Sequence, residues 1–204
     1  MNVVYYELPF PHAVIENFYG DDELDLIWDE LKFLTHPAKM LNNSQTESAL
    51  DINSKPLKNN YGLFLDEIYL RRDVSNILNL SRKLYSKEVQ ESIGLNNVIG
   101  KFISACNRDT TLLSYYESGG SYAAHPDRAT LTACTWIFRE PKQFVGGHFS
   151  FTEYKHPIPL ENNKMVIFPS VYLHEVESVM MTSDETQFFS GDGRYVITNF
   201  LKIV

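Results

Sequence analysis

The spacing of apolar residues changes character once along the chain, near Gly94. Before that point the period is helical. Leu24, Ile27, Trp28 and Leu31 fall on one face of a helix whose start is marked by Asp21 and Asp22, residues that cap a helix N-terminus and complement its positive end. Val74, Ile77, Leu78 and then Leu84 or Tyr85 repeat that spacing, and Gly94 supplies a C-terminal stop. Between the two helices, residues 36–60 are rich in Asn, Ser and Lys and read as a long surface excursion.

Beyond Gly94, short runs of β-branched and aromatic residues are divided by Gly, Pro, Asn and Asp, the pattern of strands and turns. Strands are expected over residues 98–106, 110–117, 129–138, 148–151, 165–168, 174–180 and 194–203, with edge strands at 3–8 and 14–18. Many short strands at this spacing favour a sandwich or barrel. The predicted fold is therefore mainly β (α+β), a jelly roll buttressed by the N-terminal helices. One domain is expected over residues 1–204, with 1–94 as helical support and 95–204 as the jelly-roll core.

Composition agrees with a globular chain: 44% of residues are hydrophobic and 22% charged. The 12 Tyr and 13 Phe suit a strand-rich core. A net charge of −8 argues against binding nucleic acid through its phosphates, which needs a basic face. Cys106 and Cys134 have no metal-type spacing and read as buried, reduced thiols. No apolar run approaches the roughly 18 residues of a spanning helix, so no membrane partner is expected. Met1 to Phe10 lacks a basic region followed by an apolar run, so the expected location is the cytoplasm and Asn42-Asn43-Ser44 is expected to stay unglycosylated.

Chemistry enters with His125-Pro126-Asp127. On an extended backbone residues i and i+2 point the same way, so an imidazole and a carboxylate would converge on one point. A metal site needs a third ligand. His12, His36 and His156 sit in packing, polar and turn-like settings, whereas His148 and His174 lie in strand-like runs, and spacing does not choose between these two. Two His and one Asp on one face of an octahedral Fe(II) leave three positions open, two for a keto-acid and one for O2. Zinc is the rival metal, although three-ligand catalytic zinc sites more often use three His or two His and a Glu.

The run Tyr116-Glu117-Ser118-Gly119-Gly120-Ser121-Tyr122-Ala123-Ala124-His125-Pro126-Asp127 resembles the first metal-ligand segment of the prolyl 4-hydroxylase-like Fe(II)/2-oxoglutarate-dependent dioxygenases. Gly146-Gly147-His148-Phe149-Ser150-Phe151 is similar to their glycine-led strand. Met165-Val166-Ile167-Phe168-Pro169-Ser170 followed by His174-Glu175-Val176 resembles the strand leading to the distal histidine, and Gly193-Arg194-Tyr195-Val196-Ile197-Thr198 the closing strand with its basic residue. The four segments stand in family order from Tyr115 to Leu201.

The resemblance implies a double-stranded β-helix, with iron held by His125, Asp127 and His174 rather than His148. It implies that Arg194 pairs bidentately with the remote carboxylate of 2-oxoglutarate, a task suited to its planar fork. Thr198, on the same strand face as Arg194, is expected to hydrogen-bond that carboxylate. Tyr116 and Tyr122 are expected to line the co-substrate pocket, the competing reading being two core aromatics. Trp136 stands where relatives carry a co-substrate-binding Tyr.

The implied reaction consumes O2 and 2-oxoglutarate, releases succinate and CO2, and hydroxylates an unactivated C–H bond, with ascorbate as a reductant. A prolyl residue of a peptide or protein is the implied substrate, and a free amino acid or another small molecule is the alternative. Asp127 argues against halogenation, because halogenating relatives lose that carboxylate. A jelly-roll module that holds a metal or sugar without turnover would leave Arg194 and the His–Asp–His set without a task. Residues 180–193, longer than usual between the last two segments, combine a polar run with Met180, Met181, Phe188 and Phe189. They are expected to form either a flap over the substrate side of the iron or a long hairpin packed on the barrel.

Overall fold

The computed structural model describes residues 1–46, 48–183 and 188–204. A hairpin of β1 (Asn2–Tyr6) and β2 (His12–Glu16) precedes α1 (Asp21–Leu34). The excursion then leads to β3 (Lys58–Asn59), β4 (Tyr61–Phe64) and four short helices, α2 (Leu65–Ile68), α3 (Asn76–Ser81), α4 (Lys87–Ile93) and α5 (Val98–Ala105). Ten strands follow: β5 (Arg108–Tyr116), β6 (Ser121–His125), β7 (Leu131–Ile137), β8 (Phe144–Gly146), β9 (Phe149–Phe151), β10 (His156–Ile158), β11 (Lys164–Pro169), β12 (His174–Val176), β13 (Val179–Met181) and β14 (Arg194–Lys202).

The strands form a seven-stranded sheet in the order β1-β2-β11-β7-β14-β5-β4 and a five-stranded sheet in the order β10-β9-β12-β6-β3, with β13 and β8 paired separately. Every pairing is antiparallel. This is a double-stranded β-helix with helices on one side, the expected fold. Both faces of the large sheet are covered. Its outer face, with Leu113, Ile137, Ile167, Tyr195 and Ile197, packs on helix residues Ile27, Leu31, Ile77, Val89 and Ile103. Its inner face, with Tyr116, Trp136, Val166 and Val196, meets Phe149, Phe151 and Val176 of the small sheet. Side chains alternate along a strand, so β14 sends Arg194, Val196 and Thr198 inward and Tyr195 and Ile197 toward the helices.

The first expected helix forms as α1. Glu23 accepts a hydrogen bond from Gly20 N (2.7 Å), and Thr35 closes the helix by donating to Leu31 O (2.7 Å). The second breaks into α3 and α4. Ser75 and Ser86 each turn a hydroxyl back to accept from Leu78 N and Val89 N, starting a new helix each time. Gly94, at φ +102°, ends α4 as expected.

Three strand expectations need correction. Residues 98–106 are not a strand but α5, capped by Asn97 accepting from Gly100 N (2.8 Å). Its Val and Ile residues suggested a strand, yet Ile99, Gly100 and Ile103 bury one helical face, and burial outweighs local propensity. Residues 174–180 form two strands, because the chain leaves the small sheet after Val176 and pairs with β8 from Val179. The second N-terminal strand is no edge: β2 lies between β1 and β11. Residues 1–94 supply β1 to β4 as well as helices.

Candidate functional site

His125 ends β6 and His174 begins β12, and the two strands pair so that these residues face each other directly. Their rings lie 4.4 Å apart, centroid to centroid. Asp127, just past β6, turns its carboxylate to both: Oδ1 is 3.7 Å from His125 Nε2 and Oδ2 is 3.4 Å from His174 Nε2. The backbone holds it there through Asp127 N donating to Ser170 O (2.8 Å). One ligand atom from each residue lies within 4.8 Å of the others. His148 is exposed and outside this cluster.

Each imidazole is oriented by the same local device. Nδ1 of His125 lies 2.8 Å from Ala123 O, and Nδ1 of His174 lies 3.0 Å from Tyr172 O. A carbonyl only accepts, so Nδ1 carries the proton and Nε2 presents a lone pair to the shared centre. Burial, together with the neighbouring His174, pushes His125 down to about 4, so its ring is neutral near pH 7. Burial works to raise Asp127, but His174, Thr132 and His125 outweigh it and hold the carboxyl below its usual range. Thr132 Oγ1 donates to Asp127 Oδ2 (2.7 Å) and lies 2.8 Å from Ser170 Oγ. Two imidazoles that turn Nε2 to a shared centre and one carboxylate, with their other atoms tied to the protein, fit an open-sided divalent metal site.

The cluster opens into a cavity with about 430 Å³ of empty volume, part of it solvent. Arg194 lies on its wall, fully buried, and none of its three guanidinium nitrogens has a hydrogen-bond partner among the described residues. Its Cζ is 5.1 Å from the Tyr116 ring and 5.9 Å from the Trp136 ring. Aromatic faces attract a cation but leave its five N–H donors unmet. Burial lowers Arg194 to about 10, so it stays charged at neutral pH. No thiolate or phenolate balances it: burial pushes Cys134 up to about 12 and raises Tyr116 further. Gly147 makes room for this side chain, since a Cβ there would sit 2.8 Å from Val179 Cγ2 and 3.0 Å from Arg194 Cδ.

Tyr116, Tyr122 and Thr198 all line the cavity. Tyr116 is the direct β5 partner of Arg194. Tyr122 stacks on His125 at 3.5 Å, and its hydroxyl accepts from Ala49 N (3.0 Å), tying the excursion to the strand that carries His125. Thr198 Oγ1 has a 3.8 Å contact with Cys134 Sγ. Sequence reasoning missed Thr132, Ser170 and the buried Lys58, which stands opposite Tyr122 on β3. Thr132 and Ser170 had a faint signal: both lie in segments that lead to or from the ligands.

The flap expectation divides. Residues 184–187 lie outside the described residues. After them, Phe189 N donates to Glu117 Oε1 (2.6 Å), and its ring packs against Tyr61 (4.7 Å) and Tyr115 (6.3 Å) on the helix side of the large sheet. Gly191 N and Gly193 N both donate to Tyr115 Oη. Phe189 and the two glycines that follow it are thus held on the barrel rather than over the His125–Asp127–His174 cluster, while Phe188 is exposed.

No protein-family model matches the chain. A PKHD-type hydroxylase of Aliarcobacter butzleri (strain RM4018) is 28% identical over 78 residues, covering 31% of this chain and 34% of that protein. The match therefore spans about a third of the curated relative's length. A Pseudomonas putida prolyl-4-hydroxylase has a TM-score of 0.59 at 12% identity, covering 95% of this chain and 92% of its own. A Trichoplax adhaerens prolyl hydroxylase, solved with a hypoxia inducible factor oxygen degradation domain peptide fragment, has a TM-score of 0.62 at 15% identity, covering 94% and 83%. The resemblance read from the four segments thus extends to the whole fold: the chain has the helix-backed double-stranded β-helix of these hydroxylases.

Proposed function

We propose that this chain is an Fe(II)- and 2-oxoglutarate-dependent hydroxylase. One observation carries the reading: a fully buried, unpaired Arg194 shares a cavity with the His125–Asp127–His174 cluster. A buried charge without a partner is strongly destabilising, so its retention is explained by an anionic ligand. A metal- or sugar-binding module has no use for that cation.

His125, Asp127 and His174 hold the iron, with Nε2 of each imidazole as donor. Arg194 takes the remote carboxylate of 2-oxoglutarate, beside Thr198 and Tyr116. Iron with 2-oxoglutarate and O2 supplies the oxidation, which hydroxylates a C–H bond and releases succinate and CO2; ascorbate is the reductant that maintains the iron. The chain's part is placement and dryness. Phe149, Val176 and Val196 line the cavity with apolar surface, Thr132 keeps one Asp127 oxygen oriented, and Tyr122 braces the His125 ring.

A prolyl residue in a peptide or protein is the proposed substrate, supported by the peptide-bound structural neighbour; a free amino acid is the alternative. The cytoplasmic location belongs to the same reading, supported by two free, buried cysteines. The test is direct. Anaerobic Fe(II) plus 2-oxoglutarate should give a weak visible charge-transfer band, and admitting air should yield succinate. Iron binding with neither band nor succinate would overturn the reading.

A further inference from the structure

A second pair of histidines meets where the N-terminal hairpin reaches the small sheet. His12 starts β2, His156 starts β10, the edge strand of the small sheet, and their rings lie edge to face at 5.2 Å. His12 is fully buried, stacked on Tyr6 at 4.8 Å and flanked by Phe10 (4.9 Å) and Phe151 (6.2 Å). Its Nδ1 lies 2.9 Å from Phe10 O and so carries the proton. That leaves the Nε2 lone pair inside an aromatic enclosure, with no hydrogen-bond partner among the described residues. The titratable groups facing the enclosure are Tyr6 from β1, His156 from β10 and, across Phe10, Tyr154 and Tyr172. None is a carboxylate. The charged residues nearest in sequence, Glu7, Glu153 and Lys155, are exposed, and Glu16 pairs with Lys164 at the far end of β2. A proton on Nε2 would therefore create a buried donor with nothing to accept from it, beside a second imidazole that charges in the same pH range. The Tyr6 face would attract that cation but leave its new donor unmet.

We infer that the His12–His156 pair is an acid-sensitive latch, which holds the β1–β2 hairpin against the small sheet while both rings are neutral and releases it when they gain protons. Burial lowers His12 below the ordinary histidine range; the Phe10 bond works against this and His156 adds to it. The closed hairpin thus binds protons less readily than the open one. Its stabilising contribution is full above the ordinary histidine range and is lost as pH falls through that range to the lowered value. Release would also uncover Phe151, whose ring touches His12 on one side and His174 (6.5 Å) on the other.

Amide hydrogen exchange of the full-length, metal-free chain between about pH 8 and 5.5 tests the latch. Over that range His125, held at about 4, stays neutral. Exchange in β1 and β2 is divided by exchange in β7, the central strand of the same sheet, which cancels the intrinsic effect of pH. The ratio should rise several-fold as pH falls, and side-chain NMR should show His12 titrating below the ordinary histidine range. His12→Phe keeps a ring that takes no proton and should hold the ratio flat. His156→Gln removes one of the two charges and should reduce the rise. If His12→Phe does not fold, the wild-type ratio and the His12 titration decide. A ratio that stays flat in the wild type, a His12 that titrates at or above the ordinary range, or an equal rise in His12→Phe would each overturn the latch.

Discussion

The two faces of the large sheet use the same strands for opposite ends. On β14, Tyr195 and Ile197 face the helices, while Arg194 and Thr198, one residue out of phase, face the cavity. On the helix side the buried charge of Glu30 is paired: it accepts from Ser75 Oγ (2.7 Å) and Ile77 N (2.8 Å), Tyr195 Oη meets Thr35 Oγ1 at 2.6 Å, and neutral hydroxyls such as those of Tyr19 and Tyr85 lack a partner among the described residues. On the cavity side the buried charge of Arg194 has no hydrogen-bond partner among the described residues. The two faces thus differ in how they treat a buried charge. Changes to each should therefore be read out in different quantities.

The largest effects are expected at the metal cluster. His125→Ala, Asp127→Ala and His174→Ala should each abolish 2-oxoglutarate turnover while circular dichroism and thermal melting of the metal-free protein stay close to wild type. Stoichiometric iron binding kept in His174→Ala would remove that residue from the site.

Next comes Arg194→Ala, which strips a buried charge-assisted pair and should weaken 2-oxoglutarate binding by about 2–5 kcal/mol. Arg194→Lys should recover only part, because an ammonium cannot reproduce the fork. The metal-free protein should lose no comparable stability, since the guanidinium has no partner there to lose. Calorimetry against denaturant unfolding separates the two quantities. On the opposite face Leu113→Ala should do the reverse, costing about 2–5 kcal/mol of stability by leaving a cavity in the helix-side core. Equal losses of binding and stability for both variants would erase the distinction between the faces.

A smaller effect is expected at Glu117, whose buried carboxyl is raised, chiefly by burial, against the hydrogen bond from Phe189 N. The folded chain holds this proton more tightly than the unfolded chain. Its stabilising contribution is therefore full below the ordinary Glu range and is lost as pH rises through the raised value. Glu117→Gln keeps an acceptor for Phe189 and should flatten the loss of stability above that range, as seen in denaturant midpoints measured from pH 4 to 8. Smallest of all, His148→Ala should leave iron stoichiometry unchanged and shift stability by no more than about 0.5 kcal/mol, as for other exposed positions.

Local sequence was a good guide where local physics decides. The acidic start of α1, the stop at Gly94 and the i, i+2 convergence of His125 and Asp127 are short-range effects, and each appears where the residues imply it. It failed where two local rules compete. The β-branched run after Asn97 satisfies strand propensity, yet the Asn97 cap and a buried helical face win. Ser75 and Ser86 sit inside an apolar helical period and still restart the helix, because a hydroxyl can cap as readily as it can be tolerated.

Sequence by itself determined the residue types of the candidate cluster, their order along the chain and the presence of one strand-borne Arg near the C-terminus, because these are properties of residues and short spacings. Tertiary structure alone decided which residues meet. His12 uses the same device as His125 and His174, its Nδ1 lying 2.9 Å from Phe10 O, and it is fully buried. Yet it packs among Tyr6, Phe10 and His156, and among the described residues it belongs to no cluster that could share a metal. His174 differs because antiparallel pairing of β12 with β6 sets it opposite His125, across 49 positions of chain. The placement of Arg194 is likewise a fact of three dimensions: antiparallel pairing of β14 with β5 and β7 sets it on the cavity wall, where none of the described residues accepts a hydrogen bond from it.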